Sequence, residues 1–337
     1  MAMPLPFIGR LAAGARDAIS DVAGVTVGHC TLDDGAVQTG VTVVRPHAGD
    51  AYRDRVPAAA VVLNGFGKSV GLVQVAELGV LETPVALTNT YSVAAVAQAQ
   101  IRACIAANPE SGRGLPTVNP LVFECNDGFL NDLQRMAVTE AHYLQALAAC
   151  NAEFDEGSVG AGRGMSCFEL KGGIGSASRV AGPWTVGALV LANFGKRHQF
   201  RIAGQPAGRG ERQGPNPDTA ASPEQGSIII VLATDAPLDA RQLRRLALRA
   251  GAGLARTGSV FGHGSGDIAL AFSTAYTVPL EAARPMPVLA MLHETRLDPL
   301  FEAAADGTEQ AILRDLWRAQ PVTGRAGHRR ATLGELP

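Results

Sequence analysis

The chain has 337 residues and a formal net charge of only -2. It is long enough to bury a large core in one domain or two, and its charge balance argues against nucleic acid as a partner. No apolar run reaches the roughly 18 residues of a membrane span, and the first 13 residues lack the pattern of a secretory signal. The five cysteines are scattered without a CxxC pair. We therefore expect reduced thiols in the cytoplasm, no disulfide frame, and no bound metal or other cofactor.

The first half of the chain alternates short apolar runs with glycine-rich turns. β-Branched and alternating residues predict strands over five segments: 25–30, 41–44, 58–63, 84–88 and 118–124. Ser92 is the predicted N-cap of an alanine-rich helix over about 93–107. Apolar residues at helical spacing predict a second helix over about 131–150, in which His142 is expected to be a structural histidine.

The segment after the third predicted strand resembles part of a phosphate-binding loop. Gly67-Lys68-Ser69 matches the end of that loop, but the pattern also needs glycine at position 62, which is Val62. A turn that leads into a helix is therefore favoured over a nucleotide site. The glycine-dense stretch 157–179 likewise lacks a GxGxxG between a strand and a helix, so it does not indicate dinucleotide binding.

The second half of the chain contains the strongest strand and helix patterns. Strands are predicted over 186–194, 228–233 and 268–274, and a flexible linker rich in Gly, Pro and charged residues over 203–226. A helix is predicted over about 239–255, and its core face consists of Leu243, Leu246, Ala247, Ala250 and Leu254. The tail after 280 mixes helix and loop patterns and is given no role.

The junction between the linker and the strand 228–233 is the place where chemistry is expected. Ser227 follows Gly226, whose missing Cβ leaves its carbonyl uncovered. A serine hydroxyl can attack that carbonyl, and hydrolysis of the resulting ester would give fragments of 226 and 111 residues. The new α-amine of Ser227 would have a pKa of about 7.7–8.0 and could act as the base for its own hydroxyl. An ordinary Gly-Ser turn before a strand is the alternative.

A second pair of polar residues precedes the strand 268–274. Ser265 and Asp267 are two residues apart, so they point to the same side of an extended chain. A hydroxyl beside a carboxylate can position a proton for the Ser227 amine and hydroxyl, although the two residues could equally end a turn. His263, two residues before Ser265, is a rival base.

Taken together, these motifs resemble the family of L-aminopeptidase/D-Ala-esterase-amidases and β-peptidyl aminopeptidases. The matching stretches follow the family's order over most of residues 15–280: 63–65, 87–93, 124 with 127–128 and 130–132, 157–162, 171–175, 193–195, 226–227 with 233–237, and 263–267. The resemblance implies one catalytic domain over 1–337, self-cleaved at Gly226–Ser227. It implies an α/β fold, an αββα sandwich. The chemistry would resemble that of the N-terminal-nucleophile hydrolases, but the connectivity would differ from theirs and be related to that of the ornithine acetyltransferases. It also implies assembly of α/β heterodimers, commonly four.

The same resemblance assigns roles to individual residues. It implies that Ser227 is the nucleophile, with Ser265 and Asp267 at the positions of the family's second serine and its acidic residue. Asn193 matches the oxyanion-hole asparagine, and an amide N–H aimed at a developing oxyanion is a strong catalytic group. Glu124 matches a carboxylate that holds the free ammonium of the substrate. Asn126 falls where some members carry a tyrosine near the oxyanion.

The sequence therefore predicts a self-processing serine aminopeptidase or amidase. Its partner would be a short peptide, amide or ester with an N-terminal β-, L- or D-residue, cleaved through an acyl-enzyme on Ser227. Two alternatives stay open at this point. One is an acyltransferase of the ornithine-acetyltransferase type, although that group uses threonine as its nucleophile. The other is an unprocessed binding protein without turnover.

Overall fold

Two β-sheets packed face to face form the centre of the molecule. The computed structural model describes residues 5–207 and 225–335. The smaller sheet has four strands in the order β1, β2, β4, β5, and all neighbours are antiparallel except the parallel pair β4–β5. Its strands are β1 (Thr26–Asp34), β2 (Val37–Arg45), β4 (Val85–Asn89) and β5 (Val122–Cys125).

The larger sheet holds the junction that the sequence singled out. Its long strands are β3 (Asp54–Gly65), β6 (Ile174–Ala181), β7 (Trp184–Asn193), β8 (Gln225–Thr234) and β9 (Gly264–Ser273). They lie in the order β3, β9, β8, β7, β6, and two short strands, Val80–Leu81 and Val278–Pro279, pair with β3. The pair β8–β9 is parallel, so the starts of these two strands lie side by side.

Helices cover the outer face of each sheet. The helices are α1 (Leu72–Leu78), α2 (Val93–Ala107), α3 (Glu140–Ala148), α4 (Ala240–Arg256) and α5 (Asp298–Arg318). α4 and α5 pack on the larger sheet, and α2 and α3 pack on the smaller one. A third apolar core lies between the sheets. The chain is therefore a mixed α/β protein with its sheets in the middle. No helix among residues 5–207 and 225–335 is long and apolar enough to cross a membrane.

Side-chain alternation along β8 and β9 assigns each residue to one of two cores. Ile229 and Ile268 lie in the core between the sheets, whereas Ile228 and Ala269 lie in the core under the helices. Both strands are buried on both faces, which explains their continuous apolar runs. The same alternation places the side chain of Ser227 on the inner face, toward the smaller sheet.

The bounds and the core face of helix α4 agree with the prediction. Asp239 is its N-cap, and its carboxylate accepts a hydrogen bond from the Gln242 N–H at 2.7 Å. All five residues predicted for its core face are buried. Helix α2 also has the predicted bounds, although Ser92 makes no side-chain cap bond; Asn89 Oδ1 accepts from the backbone N–H groups of residues 91 and 92 instead.

Other predictions about the elements were wrong. The helix predicted over 131–150 begins only at Glu140, because Met136 has a left-handed backbone (φ 44°) that ends a short 3-10 turn before it. His142 is structural as predicted, since its Nδ1 accepts from the Thr139 N–H. Strand β5 starts four residues later than predicted, and β8 starts at Gln225, two residues before Ser227.

The predicted linker 203–226 is described only at its two ends. Gln205–Pro206 pairs with Arg201–Ile202 as a short hairpin, so its first residues are ordered. Residues 208–224 lie outside the described part of the chain. The last two linker residues belong to β8. The prediction of flexibility for the segment between stays a prediction.

Candidate active site

Ser227 lies inside strand β8 with its hydroxyl against the peptide that precedes it. Its Oγ donates to the Gly226 carbonyl oxygen at 2.5 Å, and the Gly266 N–H donates to the same Oγ at 3.2 Å. Only 3% of the residue is exposed. The hydroxyl is therefore held next to the carbonyl that the proposed self-cleavage attacks.

Two glycines make this close approach possible. A Cβ at Gly226 would lie 2.4 Å from the Asn193 backbone oxygen, and a Cβ at Gly266 would lie 2.7 Å from the Phe66 oxygen. The Cβ at Gly266 would also lie 3.1 Å from the Ser227 Oγ. Neither position has room for a side chain, so glycine is required at both for steric reasons and not only to form a turn.

The Ser227 hydroxyl opens into a cavity between the two sheets. The cavity has a volume of about 400 Å³ and its described lining residues are Phe66, Lys68, Thr90, Glu124, Asn126, Gly226, Ser227, His263 and Gly264. Ligand sites of this size are common in enzymes of small substrates. Among these described residues Glu124 is the one carboxylate; it is buried and lies on the wall formed by the smaller sheet.

Glu124 is held in place by one hydrogen bond to each oxygen. The Thr90 hydroxyl donates to Oε2 at 2.5 Å, and the backbone N–H of Lys68 donates to Oε1 at 2.8 Å. Each carboxylate oxygen has a further lone pair, so Glu124 can still accept from a substrate ammonium. Since the Lys68 N–H is aimed at a carboxylate, the 67–69 segment is not a phosphate cradle.

Asn193 lies directly opposite Ser227 in the antiparallel pair β7–β8. Opposed residues in such a pair share a face of the sheet, so both side chains point toward the smaller sheet. The Asn193 Oδ1 accepts from the Ser166 N–H at 2.8 Å, and its Nδ2 donates to the Asn126 carbonyl at 2.8 Å. An amide NH₂ has two hydrogens, so one donor is left for another acceptor.

Asn126 contributes chiefly through its backbone. Its carbonyl anchors the Asn193 amide, and its own Oδ1 accepts from the Gly128 N–H at 2.9 Å. The side chain is exposed and lines the cavity. The sequence could not separate these two contributions, because the backbone contact joins residues 67 positions apart.

Ser265 and Asp267 form a buried pair behind the nucleophile. The Ser265 Oγ donates to Asp267 Oδ1 at 2.5 Å, as their shared side predicted. Ser265 is opposite Gly226 in the parallel register, and alternation puts both side chains of the pair on the face opposite the Ser227 hydroxyl. Neither is among the described lining residues of the cavity. They are therefore placed beside the backbone of the Gly226–Ser227 peptide.

Asn64 holds the segment that carries this pair, and no role was predicted for it. Its Nδ2 donates to the carbonyls of Gly262 at 3.0 Å, His263 at 3.2 Å and Ser265. It is opposite Asp267 in the β3–β9 register. Thr90 and Gly266 were likewise missed. All three fall within the sequence stretches that carried the family resemblance, which was the one available signal.

Other titratable groups near the site do not compete with Ser227. Burial raises the pKa of the Cys125 thiol well above its usual value, so this cysteine is not a thiolate nucleophile. Burial also raises the pKa of Asp127 to about 7. The His263 ring is exposed, lies 6.2 Å from the Phe66 ring, and makes no hydrogen bond to Ser227 among the described residues.

Comparison with known proteins places this geometry in a family. The model of peptidase family S58 matches residues 17–330. The chain is 38% identical over 358 residues to the β-peptidyl aminopeptidase BapA of Sphingosinicella microcystinivorans, covering 99% of this chain and 88% of the relative.

Two solved structures share nearly the whole fold. The β-aminopeptidase of a Burkholderia species superposes with a TM-score of 0.87 at 43% identity, covering 96% of this chain and 92% of that one. The L-aminopeptidase D-Ala-esterase/amidase of Ochrobactrum anthropi has a TM-score of 0.87 at 35% identity, covering 98% and 93%. That protein is described as a prototype for the serine aminopeptidases and a new variant among the Ntn hydrolase fold. The chain therefore belongs to peptidase family S58 and is a hydrolase of the serine aminopeptidase type.

Proposed function

We propose that this chain cleaves itself at Gly226–Ser227 and then removes N-terminal residues from short peptides, amides and esters. The proposal rests on the position of the Ser227 hydroxyl. It lies 2.5 Å from the Gly226 carbonyl oxygen and opens into a cavity whose other wall holds Glu124. Self-cleavage uses the first contact, and aminopeptidase turnover uses the second.

Maturation begins with attack of the Ser227 Oγ on the Gly226 carbonyl carbon. The C–N bond of the peptide breaks, its nitrogen takes a proton, and an ester links Gly226 to the serine oxygen. Water then hydrolyses the ester, which releases the Gly226 carboxylate and a free hydroxyl. The Gly266 N–H, 3.2 Å from Oγ, stabilises negative charge on that oxygen.

Turnover repeats this chemistry on a substrate. Glu124 binds the substrate ammonium, which places the scissile carbonyl at Ser227. The neutral Ser227 amine takes the hydroxyl proton as Oγ attacks, and the remaining Asn193 N–H stabilises the oxyanion. The protonated Ser227 amine gives that proton to the leaving nitrogen as the C–N bond breaks, and water then hydrolyses the ester on Oγ. An amine in place of water would give peptide coupling.

The Ser265–Asp267 pair serves the amine and not the hydroxyl. Its placement across from Gly226 supports this role, because the amine that cleavage creates lies in the plane of the sheet between β8 and β9. A carboxylate relayed through a hydroxyl stabilises the protonated amine during each cycle. His263 has no part in the proposal.

The finer features of the molecule are also proposals. The description of the Ochrobactrum relative supports an Ntn-hydrolase variant, for which we propose the connectivity of ornithine acetyltransferases in a single catalytic domain. None of the five cysteines forms a disulfide with another described residue, which supports a cytoplasmic location. We propose assembly into a homo-oligomer, four α/β heterodimers, on the family resemblance alone.

A panel of p-nitroanilides tests the proposed activity. β-Alanyl, L-alanyl and D-alanyl p-nitroanilide would each be offered with a free and with an acetylated amine. We expect release of p-nitroaniline from at least one free-amine substrate, and little from its acetylated counterpart, because Glu124 binds the ammonium. Protein that releases none from the whole panel would contradict the proposal and favour a binding protein.

A further inference from the structure

The exposed side of the cavity carries the side chain of Lys68, which has no role in the proposed reaction. Among the described lining residues, Lys68 is the only lysine or arginine. Its side chain is exposed, and its Nζ lies 5.0 Å from the centroid of the Phe66 ring. Within residues 5–207 and 225–335 it forms no ion pair, so its charge is available to a ligand.

The position of Lys68 is fixed relative to the proposed ammonium site. Its backbone N–H donates to Glu124 Oε1 at 2.8 Å, so the lysine side chain starts next to the carboxylate that binds the substrate amine. The ammonium forms no ion pair with Glu124 and lies over the ring of Phe66, and both Phe66 and Lys68 are exposed. A lysine ammonium is a compact charge on a flexible stem, which suits recognition of a single anionic group.

The two charges divide the cavity into an inner and an outer part. Glu124 and Ser227 are each only 3% exposed, so the N-terminal residue of a substrate, with its ammonium, fills the inner part. The exposed lining residues are Phe66, Lys68, Asn126 and His263, so the part of the substrate that follows the scissile bond would extend past them. A cationic mouth and an anionic interior complement a small zwitterion with its negative end outward.

We propose that Lys68 is a specificity-determining residue that binds a carboxylate in the leaving half of the substrate. The inference rests on the proposed aminopeptidase function and narrows its substrate class to short peptides with a free C-terminal carboxylate, dipeptides foremost. A peptide amide lacks this negative charge and is therefore a poorer substrate than the matching free acid.

The experiment compares a dipeptide with its C-terminal amide, which differ only in that charge. Their N-terminal residue is the one preferred in the anilide panel. The measured quantity is the ratio of kcat/KM for the acid to kcat/KM for the amide. Exposed ion pairs are weak, so Lys68→Met should lower the ratio by about 3- to 5-fold. Lys68→Glu should lower it by about 10-fold or more, because it adds repulsion.

Matched variants separate charge from other effects. Lys68→Arg keeps the cation and should keep most of the preference. Arg244→Ala removes one exposed cation from α4, outside the cavity, and should leave the ratio unchanged. Raising the salt to 1 M should bring the wild-type ratio toward that of Lys68→Met, because the Debye length falls to about 3 Å.

The outcomes distinguish this inference from the function on which it rests. Turnover of both substrates with the same ratio in wild type, Lys68→Met and Lys68→Glu would overturn the inference and leave the aminopeptidase function standing. An equal loss on acid and amide in Lys68→Met would also overturn it, since the lysine side chain would then not distinguish a carboxylate from an amide. If wild type cleaves neither substrate nor any anilide, both proposals fall together.

Discussion

The two sides of strand β8 at Ser227 differ in what they offer to the reaction. The inner side has a cavity, a hydrogen-bonded carboxylate at Glu124, and the amide of Asn193. On the outer side, the buried Ser265–Asp267 hydrogen bond lies beside the peptide backbone, and neither residue is among the described lining residues of the cavity. In the proposed mechanism, substrate binding and control of the nucleophile's amine therefore occupy opposite faces of one sheet. Variants on the two sides should therefore fail in different ways.

The largest kinetic effect is expected on the inner side, at the oxyanion. Asn193→Ala removes an amide donor aimed at developing charge, so kcat should fall by roughly 10²- to 10³-fold with little change in KM. Intact mass gives the cleaved fraction, and rates are expressed per cleaved chain. An unchanged kcat per cleaved chain would remove Asn193 from the oxyanion hole.

Glu124→Gln should act on binding instead. The lost ion pair with the substrate ammonium should raise KM by about 10- to 100-fold for free-amine substrates, since hydrogen bonds to charged groups are the strong ones. Acetylated substrates serve as the control because they have no ammonium. If the variant treats free and acetylated substrates as the wild type does, Glu124 does not bind the amine.

Variants on the outer side should change the pH dependence of kcat/KM. The Ser227 amine must be neutral to accept the hydroxyl proton, so kcat/KM should rise with pH around its unperturbed pKa of about 7.7–8.0. The substrate amine loses its charge in the same window, so the profile should fall again at higher pH.

Two variants assign the ascending limb of this profile. Asp267→Asn removes a negative charge beside the amine and should move the limb to lower pH by about one unit. His263→Ala should leave it in place. If the limb disappears in cleaved His263→Ala that is still folded, the histidine is the base and the amine is not.

The last prediction concerns stability and not turnover. Asp127 is buried near the site but is not among the described lining residues of the cavity. Burial raises its folded-state pKa to about 7 from its ordinary value of 3.8. The folded protein thus binds more protons than the unfolded chain between these values. This group's contribution to the free energy of unfolding is complete below about pH 4 and is lost as pH rises to about 7, by up to about 4 kcal/mol.

Asp127→Asn should remove that fall in stability while keeping the shape of the side chain. The measurement is the free energy of unfolding in urea from pH 4 to 8, with the exposed residue Asp34 changed to Asn as the control. A slope that is the same in both variants would contradict the assigned titration.

Local sequence patterns predicted the features that depend on near neighbours. The core face of α4 and the same-side placement of Ser265 and Asp267 follow from periodicity, and both are confirmed. The tail after 280 was predicted to contain helix, but the bounds of α5 were not predicted, because it buries polar residues such as Asp306, Gln310 and Asp315 along with its apolar ones and its periodicity is weak.

Contacts between distant segments could not be predicted from these patterns. Nothing local shows that Asn193 is opposite Ser227, or that Glu124 on the smaller sheet lies across the cavity from it. The family resemblance supplied Asn193 and Glu124, but not Asn64 or Thr90, which hold the site together. Strand register and sheet packing determine these contacts, and neither can be predicted from a single stretch of sequence.

The intact mass of the purified protein, with N-terminal sequencing, tests the central claim most directly. Wild type should give two fragments of 226 and 111 residues, and the smaller should begin Ser-Ile-Ile-Ile. Ser227→Ala, matched in size and lacking only the hydroxyl, should remain one inactive chain of 337 residues. A single full-length wild-type chain that turns over substrate, or normal cleavage in Ser227→Ala, would contradict the account.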